Sequence, residues 1–259
     1  MEGAIQLNII QFSLIYLLLI VVVAIMKKSN IKKTKLLIVS SIRMTVQLVL
    51  AGLILTYILN NPEPFFTLAY ILVMILFSIY YVLSKNKEVN NKFKLIIAMS
   101  MFLTGLFMIV FFVMVIVGVD IFNPQYTIPL AGMIVGNSMT GVTLAIKIFK
   151  ENIQNGKAKI ESLLNLGATP DRVLMPYVNN SLETALVPTI NSMVGMGIVF
   201  LPGMMTGQIL SGTLPLTSIM YQIAIMIAIC ASVCLAIFFS LYFGYKTLYN
   251  ERNQIQYNQ

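Results

Sequence analysis

Histidine and tryptophan are absent from the 259 residues, and cysteine occurs only twice. Without histidine the chain lacks a common metal ligand and the side chain that most readily moves protons near neutral pH. Cys230 and Cys234 stand four apart in an apolar segment. That spacing puts them on one helix face, which is poor geometry for bridging each other. Small buried packing residues are therefore expected, with a soft-metal pair as the alternative. Their number says nothing about redox compartment. Charge is also scarce. Only 10% of residues are charged against 58% apolar, and the mean hydropathy is +0.88. A soluble domain of this length needs far more polar surface, so a polytopic membrane protein is expected. No Gly-x-x-x-x-Gly-Lys-Ser/Thr loop occurs, so the chain carries no nucleotide-binding motif of its own. The first apolar run has no basic flank before it and no small-residue cleavage site after it, so no cleavable signal is expected.

What is present is a series of apolar runs. A span takes about 20 mostly apolar residues. Seven runs fit: 7–26, 36–59, 65–83, 95–119, 128–148, 184–202 and 217–243. The expected fold is all-α, with one transmembrane domain over 1–259 and a cytoplasmic loop at 149–183. Basic residues set the orientation. Five lysines lie in 27–35, four in 85–94, four with Arg172 in 147–172, and Lys246 and Arg252 near the end. The alternate loops hold only Glu63 and Asp120. The positive-inside rule then puts the N-terminus outside and the C-terminus in the cytoplasm. The net charge of +8 reads as a topology signal and a contact with anionic membrane lipid, not as a nucleic-acid surface.

The long cytoplasmic stretch has internal structure. Ile160, Leu163 and Leu164 follow helical spacing, Leu166 adds to the apolar face, and Gly167 stops the helix where positive φ is needed. Thr169 and Pro170 start the next helix as N-cap and first residue. A plain connector with an interfacial helix is one reading. The other is a docking helix that enters a groove on a soluble partner. Glu161, five residues, then Gly167 resembles the Glu-Ala-Ala-x-x-x-Gly core of the coupling loop in ABC-transporter permeases. The downstream Ile-x-Leu-Pro of that motif is missing. On this reading Glu161, Leu163, Leu164, Gly167 and Ala168 transmit motion from an ATPase.

Polar residues inside the spans mark the other candidates. Arg43 and Gln47 share a face of the second span, and Arg43 lies roughly 10 Å deep. A pair with Glu183, or snorkelling to lipid phosphates, would offset the cost of that charge. Gly132, Gly136 and Thr140 form a small-residue stripe, as do Gly203, Gly207 and Ser211, and close helix packing is the plain reading for each. Asn137, Ser138, Thr189, Asn191 and Ser192 add polar groups that must be satisfied internally. Pro202 ends or kinks the helix before it. The segment 202–215 is then an external lid or a re-entrant piece carrying Met204, Met205, Thr206 and Gln208. Asn137, Ser138, Asn191, Met204, Met205, Thr206 and Gln208 are the candidate translocation pathway.

The runs IRMTVQL (42–48), GMIVGNSM (132–139), ESLLNLGATP (161–170) and PTINSMVGMGIVFLPGMMTGQILSG (188–212) resemble the Fet-type iron-efflux ABC permeases, a family that includes plant proteins of aluminium tolerance. The resemblance covers essentially the whole chain. It implies a homodimeric, multi-pass permease of the cell membrane that exports iron or a related metal ion. ATP and Mg would bind a separate cytoplasmic ATPase, and no cofactor is expected on this chain. The ligand set for a metal is open. Iron(II) favours carboxylate, imidazole and carbonyl ligands, and the chain has no histidine and almost no membrane carboxylate. Its 17 methionines serve as flexible apolar filling or as soft ligands. An ion-driven secondary transporter and a non-transporting scaffold are the rival readings.

Overall fold

Inside a bilayer no water pairs with an exposed backbone N–H or C=O, so apolar runs of this length fold as helices. The computed structural model of the chain describes residues 8–250 and 254. Among them are nine α-helices: α1 Ile9–Lys28, α2 Thr34–Asn60, α3 Pro64–Lys85, α4 Asn91–Val110, α5 Pro124–Asn155, α6 Lys157–Asn165, α7 Pro170–Gly195, α8 Gly203–Leu210 and α9 Pro215–Gly244. A π-helical stretch, Phe111–Val117, continues α4 and closes on Gly118 at φ 73°. Helices α3, α5, α7 and α9 each open with proline, whose missing N–H costs nothing there. The Asn90 and Asn123 side chains accept the backbone N–H of Phe93 and Gln125, capping α4 and α5.

Among the described residues, five helical stretches are long and apolar enough to cross a membrane: 34–60, 64–85, 91–117, 124–155 and 215–247. They match five of the seven expected spans. The first expected span corresponds to α1, with residue 7 outside the described residues, as is Arg252. The sixth, at 184–202, is corrected. Its helix begins at Pro170 and ends at Gly195, and residues 196–202 are a break. With Asn179, Asn180, Glu183 and Asn191 along it, α7 is less apolar than the five stretches above, although it packs along both α5 and α9.

The core is centred on α5 and α9, with α3, α4 and α7 packed around them. A Cβ at Gly141 would come within 2.6 Å of Val233, so only glycine lets α5 and α9 approach this closely. Beside it the Ser138 and Ser232 hydroxyls bond at 2.9 Å, both buried. Gly244 of α9 lies against the ring of Phe93 in the same way. The stripe expected at 132, 136 and 140 is not this seam. Gly132 meets only the Met74 side chain, Gly136 has nothing within 4 Å, and Thr140 is exposed. Gly203 and Gly207 are equally open within the chain, so they make no close-packed stripe either. α1 and α2 stand at the edge. Tyr16 and Thr45 bond at 2.7 Å between them, and Ile58 is the one buried residue of α2.

Gly244→Ala is expected to destabilise the protein by about 1–3 kcal/mol, because the fully packed Phe93 ring has nowhere to move. Gly136→Ala should be neutral or stabilising by up to ~1 kcal/mol, from helix propensity alone. Thermal unfolding in detergent checks both. Equal melting temperatures for the two variants would show that the α4–α9 contact does not constrain the fold.

Candidate functional site

At the lysine-rich end, α5 and α7 are joined by α6. The stretch expected at 149–183 has the order read from the sequence, a short helix, a glycine turn and a new helix from Pro170. It is helix through Asn155, helix again at 157–165, and helix from Pro170 onward. Gly167 takes φ +86°, its N–H bonds Leu164, and the N–H of Ala168 bonds Leu163. This is the C-terminal glycine arrangement expected there. Ile160 is fully buried, and Leu163, Leu164 and Ala168 pack against the core. These leucines anchor α6 and do not offer it outward. The outward surface holds Glu161, loosely paired with Lys157 at 3.9 Å, and Leu166, which is 83% exposed. The periodicity put Leu166 on the apolar face, but helix α6 ends one residue before it, so its side chain leaves that face.

The start of α7 is tied to the end of α9. The Asp171 carboxylate accepts the hydroxyls of Tyr245 at 2.9 Å and Tyr249 at 3.1 Å. Burial, then donation to Asp171, raises the pKa of the Tyr249 phenol above its ordinary value. Further along, Asn152 of α5 donates to the Asn180 side-chain oxygen at 2.9 Å.

Between α5, α7 and α9 lies a crevice of about 260 Å³. Its polar lining includes Asn137, Thr140, Thr189, Ser192 and Gln222; Met133, Met196 and Met226 bring thioethers. That is room for several waters. Gln222 is only 5% exposed. Its Nε2 reaches the Met196 sulfur at 3.7 Å, while Oε1 is buried and has no partner. Pro202 and Phe200, from the break after α7, also line this space. Met196, at the start of the break, meets Gln222 seven residues into α9. The segment expected at 202–215 as an external lid or re-entrant piece is helix α8 at Gly203–Leu210, packed on α9, and a turn into that helix.

Of the seven pathway candidates, only Asn137 lines the crevice. Its Nδ2 bonds the Met133 carbonyl at 2.7 Å, leaving the amide oxygen available. Ser138 is interior, in the α5–α9 seam. Asn191 is exposed outside the crevice. Met204 packs on the core and Met205 is buried. Thr206 bonds back to the Pro202 carbonyl, and the Gln208 Oε1 is buried without a partner. Gln222, Met196 and Met226 are the residues added by the structure. The one glutamine in the 217–243 run was the available signal.

The Arg43–Glu183 pair is also corrected. The ion pairs among the described residues are Lys147–Glu151, Lys150–Glu88 and Lys157–Glu161. The Arg43 guanidinium lies 5.4 Å from the Phe77 ring instead, and Gln47 and Glu183 are exposed. A cation over an aromatic face gains part of what a carboxylate would supply. No cluster of three or more His, Cys, Asp or Glu able to hold a metal occurs among the described residues. The crevice thus presents neutral amide, hydroxyl and thioether donors.

The profile of a family described as "Uncharacterised protein family (UPF0014)" matches residues 9–249. The chain is 31% identical over 250 residues to the "Probable iron export permease protein FetB" of Escherichia coli (strain K12), spanning 96% of this chain and 95% of that one. It is 26% identical over 250 residues to the "UPF0014 membrane protein YjkA" of Bacillus subtilis (strain 168), at 96% and 98% coverage. It is 33% identical over 183 residues to "Protein ALUMINUM SENSITIVE 3" of Arabidopsis thaliana, at 71% and 66% coverage. No solved structure matches the chain significantly.

Gln222→Leu is expected to leave stability unchanged or raise it by about 1 kcal/mol, because an apolar side chain of similar size replaces a buried acceptor with no partner. Thermal unfolding in detergent measures this. A clear loss of stability would show that Oε1 is satisfied in the folded protein.

Proposed function

The chain belongs to the UPF0014 family, and from that premise we propose that it is the membrane-spanning subunit of an ATP-driven metal-ion exporter. The observation that carries this reading is the crevice, a polar lining with the buried and partly unsatisfied Gln222 at its base, bounded by the α7 helix that leads from α6. Iron is the proposed cargo, in line with the printed name of the Escherichia coli relative. Neutral oxygen and sulfur donors bind such an ion weakly, which suits a site that must release what it takes up. The chain performs no bond chemistry. ATP and Mg act on a separate cytoplasmic ATPase that grips α6, with Leu166 as the apolar anchor in its groove.

The protein works as a homodimer in the cell membrane. Asn137 and Thr140, within the α5 span, are exposed in the single chain, and polar side chains there face a partner or water rather than lipid. The lysine-rich end is cytoplasmic by the positive-inside rule. An ion-driven carrier is less well supported. It needs a titratable group in the pathway, and Glu183 does not line the crevice. A scaffold would have no use for an unsatisfied Gln222 deep in the membrane.

Everted membrane vesicles containing the chain and its candidate ATPase should accumulate iron when ATP is supplied. Leu166→Ser should cut ATP-dependent uptake and ATPase co-purification by about tenfold or more, the scale of losing one buried leucine at an interface. Gly167→Pro should abolish uptake. Gln222→Leu should lower flux with the complex intact. Uptake driven by a proton gradient without any ATPase would overturn the assignment, and a stable complex idle with iron would remove iron from it.

A further inference from the structure

A second cavity, of about 510 Å³, opens between α6 and α7 at the lysine-rich end. Lys159 and Leu163, one turn apart on α6, share it with Arg172, Pro176 and Asn180, successive turns of α7. Its polar lining is mostly donors, with the Asn152 amide oxygen as the one side-chain acceptor left open. Arg172 and Lys159 bring charge, Tyr177 a hydroxyl and Asn180 an amide whose oxygen is already taken by Asn152. The Tyr177 ring lies on Gly156, where a Cβ would strike it. No carboxylate lines the cavity. The nearby acids are engaged elsewhere: Asp171 by Tyr245 and Tyr249, Glu151 by Lys147, Glu161 by Lys157. Neither Lys159 nor Arg172 enters an ion pair among the described residues.

Two cations and two neutral donors around one space, with no carboxylate among the described lining residues, outweigh the single Asn152 oxygen and call for an anion. An arginine fork matches phosphate in two-point contact, and lysine adds a mobile charge. The inner end of the cavity, at Asn152, lies five residues beyond Lys147 on α5, so about 7 Å further along the helix. That is the depth of the headgroup layer when Lys147 marks the edge of the hydrocarbon. Val173, Pro176 and Leu163 form an apolar side against which a glycerol backbone can rest. We infer that this cavity binds a phosphate group, supplied by an anionic glycerophospholipid at the membrane surface. Such a lipid would brace α6 against α7. The inference does not depend on the identity of the cargo.

Native mass spectrometry of the full chain, released from micelles carrying phosphatidylglycerol or phosphatidylcholine, tests it. The wild type should retain phosphatidylglycerol preferentially. Lys159→Gln with Arg172→Gln should lower that preference by roughly tenfold or more, the effect of two basic contacts near a membrane surface. The exchange Lys159→Arg with Arg172→Lys, which keeps both charges, should preserve it. Melting temperature without lipid controls for folding, and Lys159→Gln alone, on the exposed surface of α6, reads a smaller loss should the double variant not assemble. Displacement of the lipid by inorganic phosphate would keep the phosphate site and show that a soluble phosphate can fill it. Undiminished phosphatidylglycerol retention in the glutamine variants would overturn the proposal. So would a variant that keeps the lipid but sheds the ATPase, which would assign the cavity to an acidic side chain of that partner.

Discussion

The contact on which the rest depends is the seam between α5 and α9. Gly141 lets the two helices close until Val233 stands where a side chain would be, and the Ser138–Ser232 bond satisfies the polar groups this brings together. In lipid there is little hydrophobic force between helices, so small residues and internal hydrogen bonds do the joining. With that seam fixed, other faces of α5 and α9 are free to bound a crevice with α7. The lower end of α5 continues past the membrane to carry α6. A bulkier residue at 141 would separate the helices and change the crevice and the base of α6 together.

α7 is attached at both ends. Near its start, Asp171 holds Tyr245 and Tyr249 beyond α9; just past its end, Met196 meets Gln222. Between these points stand Pro176 and Pro188, each removing a helical hydrogen bond. A push on α6 therefore reaches a helix that is pinned at its ends and weakened inside. Bending at the prolines is the softest response available. Pro188 itself lines the crevice, so such a bend alters the space around Gln222. The exposed apolar faces of α1 and α2 share few contacts with this machinery, as expected of elements that face lipid or a second copy.

Much of the architecture was legible in hydropathy, because a lipid-spanning helix needs a long apolar run and nothing more subtle. Four of the five matched spans agree with their helices to within about four residues at each end, and α5 runs on from 148 to Asn155. The start of α7 was legible in Thr169 and Pro170, but the span was set at 184–202, because its first half has loop composition and the break at 196–202 is itself apolar. Gly167 was readable, since a helix stop that requires positive φ has few other solutions. The crevice was not. Asn137 stood out among small residues, but Gln222 is one amide in a run whose other polar residues are threonine and serines, and its meaning comes from Met196 lying beside it. The glycine stripe misled for a related reason: 132, 136 and 140 have the right spacing, yet the helix turns residue 141 toward α9. Arg43 was expected to pair with Glu183 or to snorkel to lipid phosphates, and its guanidinium lies over the Phe77 ring.

The central claim is that the space around Gln222 opens and closes as α6 is moved. The most direct measurement places a single cysteine at Met196 in a chain with Cys230→Ala and Cys234→Ala. Its reaction with a membrane-impermeant maleimide is followed in vesicles containing the ATPase, with and without ATP. The labelling rate should change severalfold with ATP, while a cysteine at Leu48, on the exposed apolar face of α2, stays unlabelled in both states. Equal rates at Met196→Cys with and without ATP, in a complex that hydrolyses it, would contradict the account.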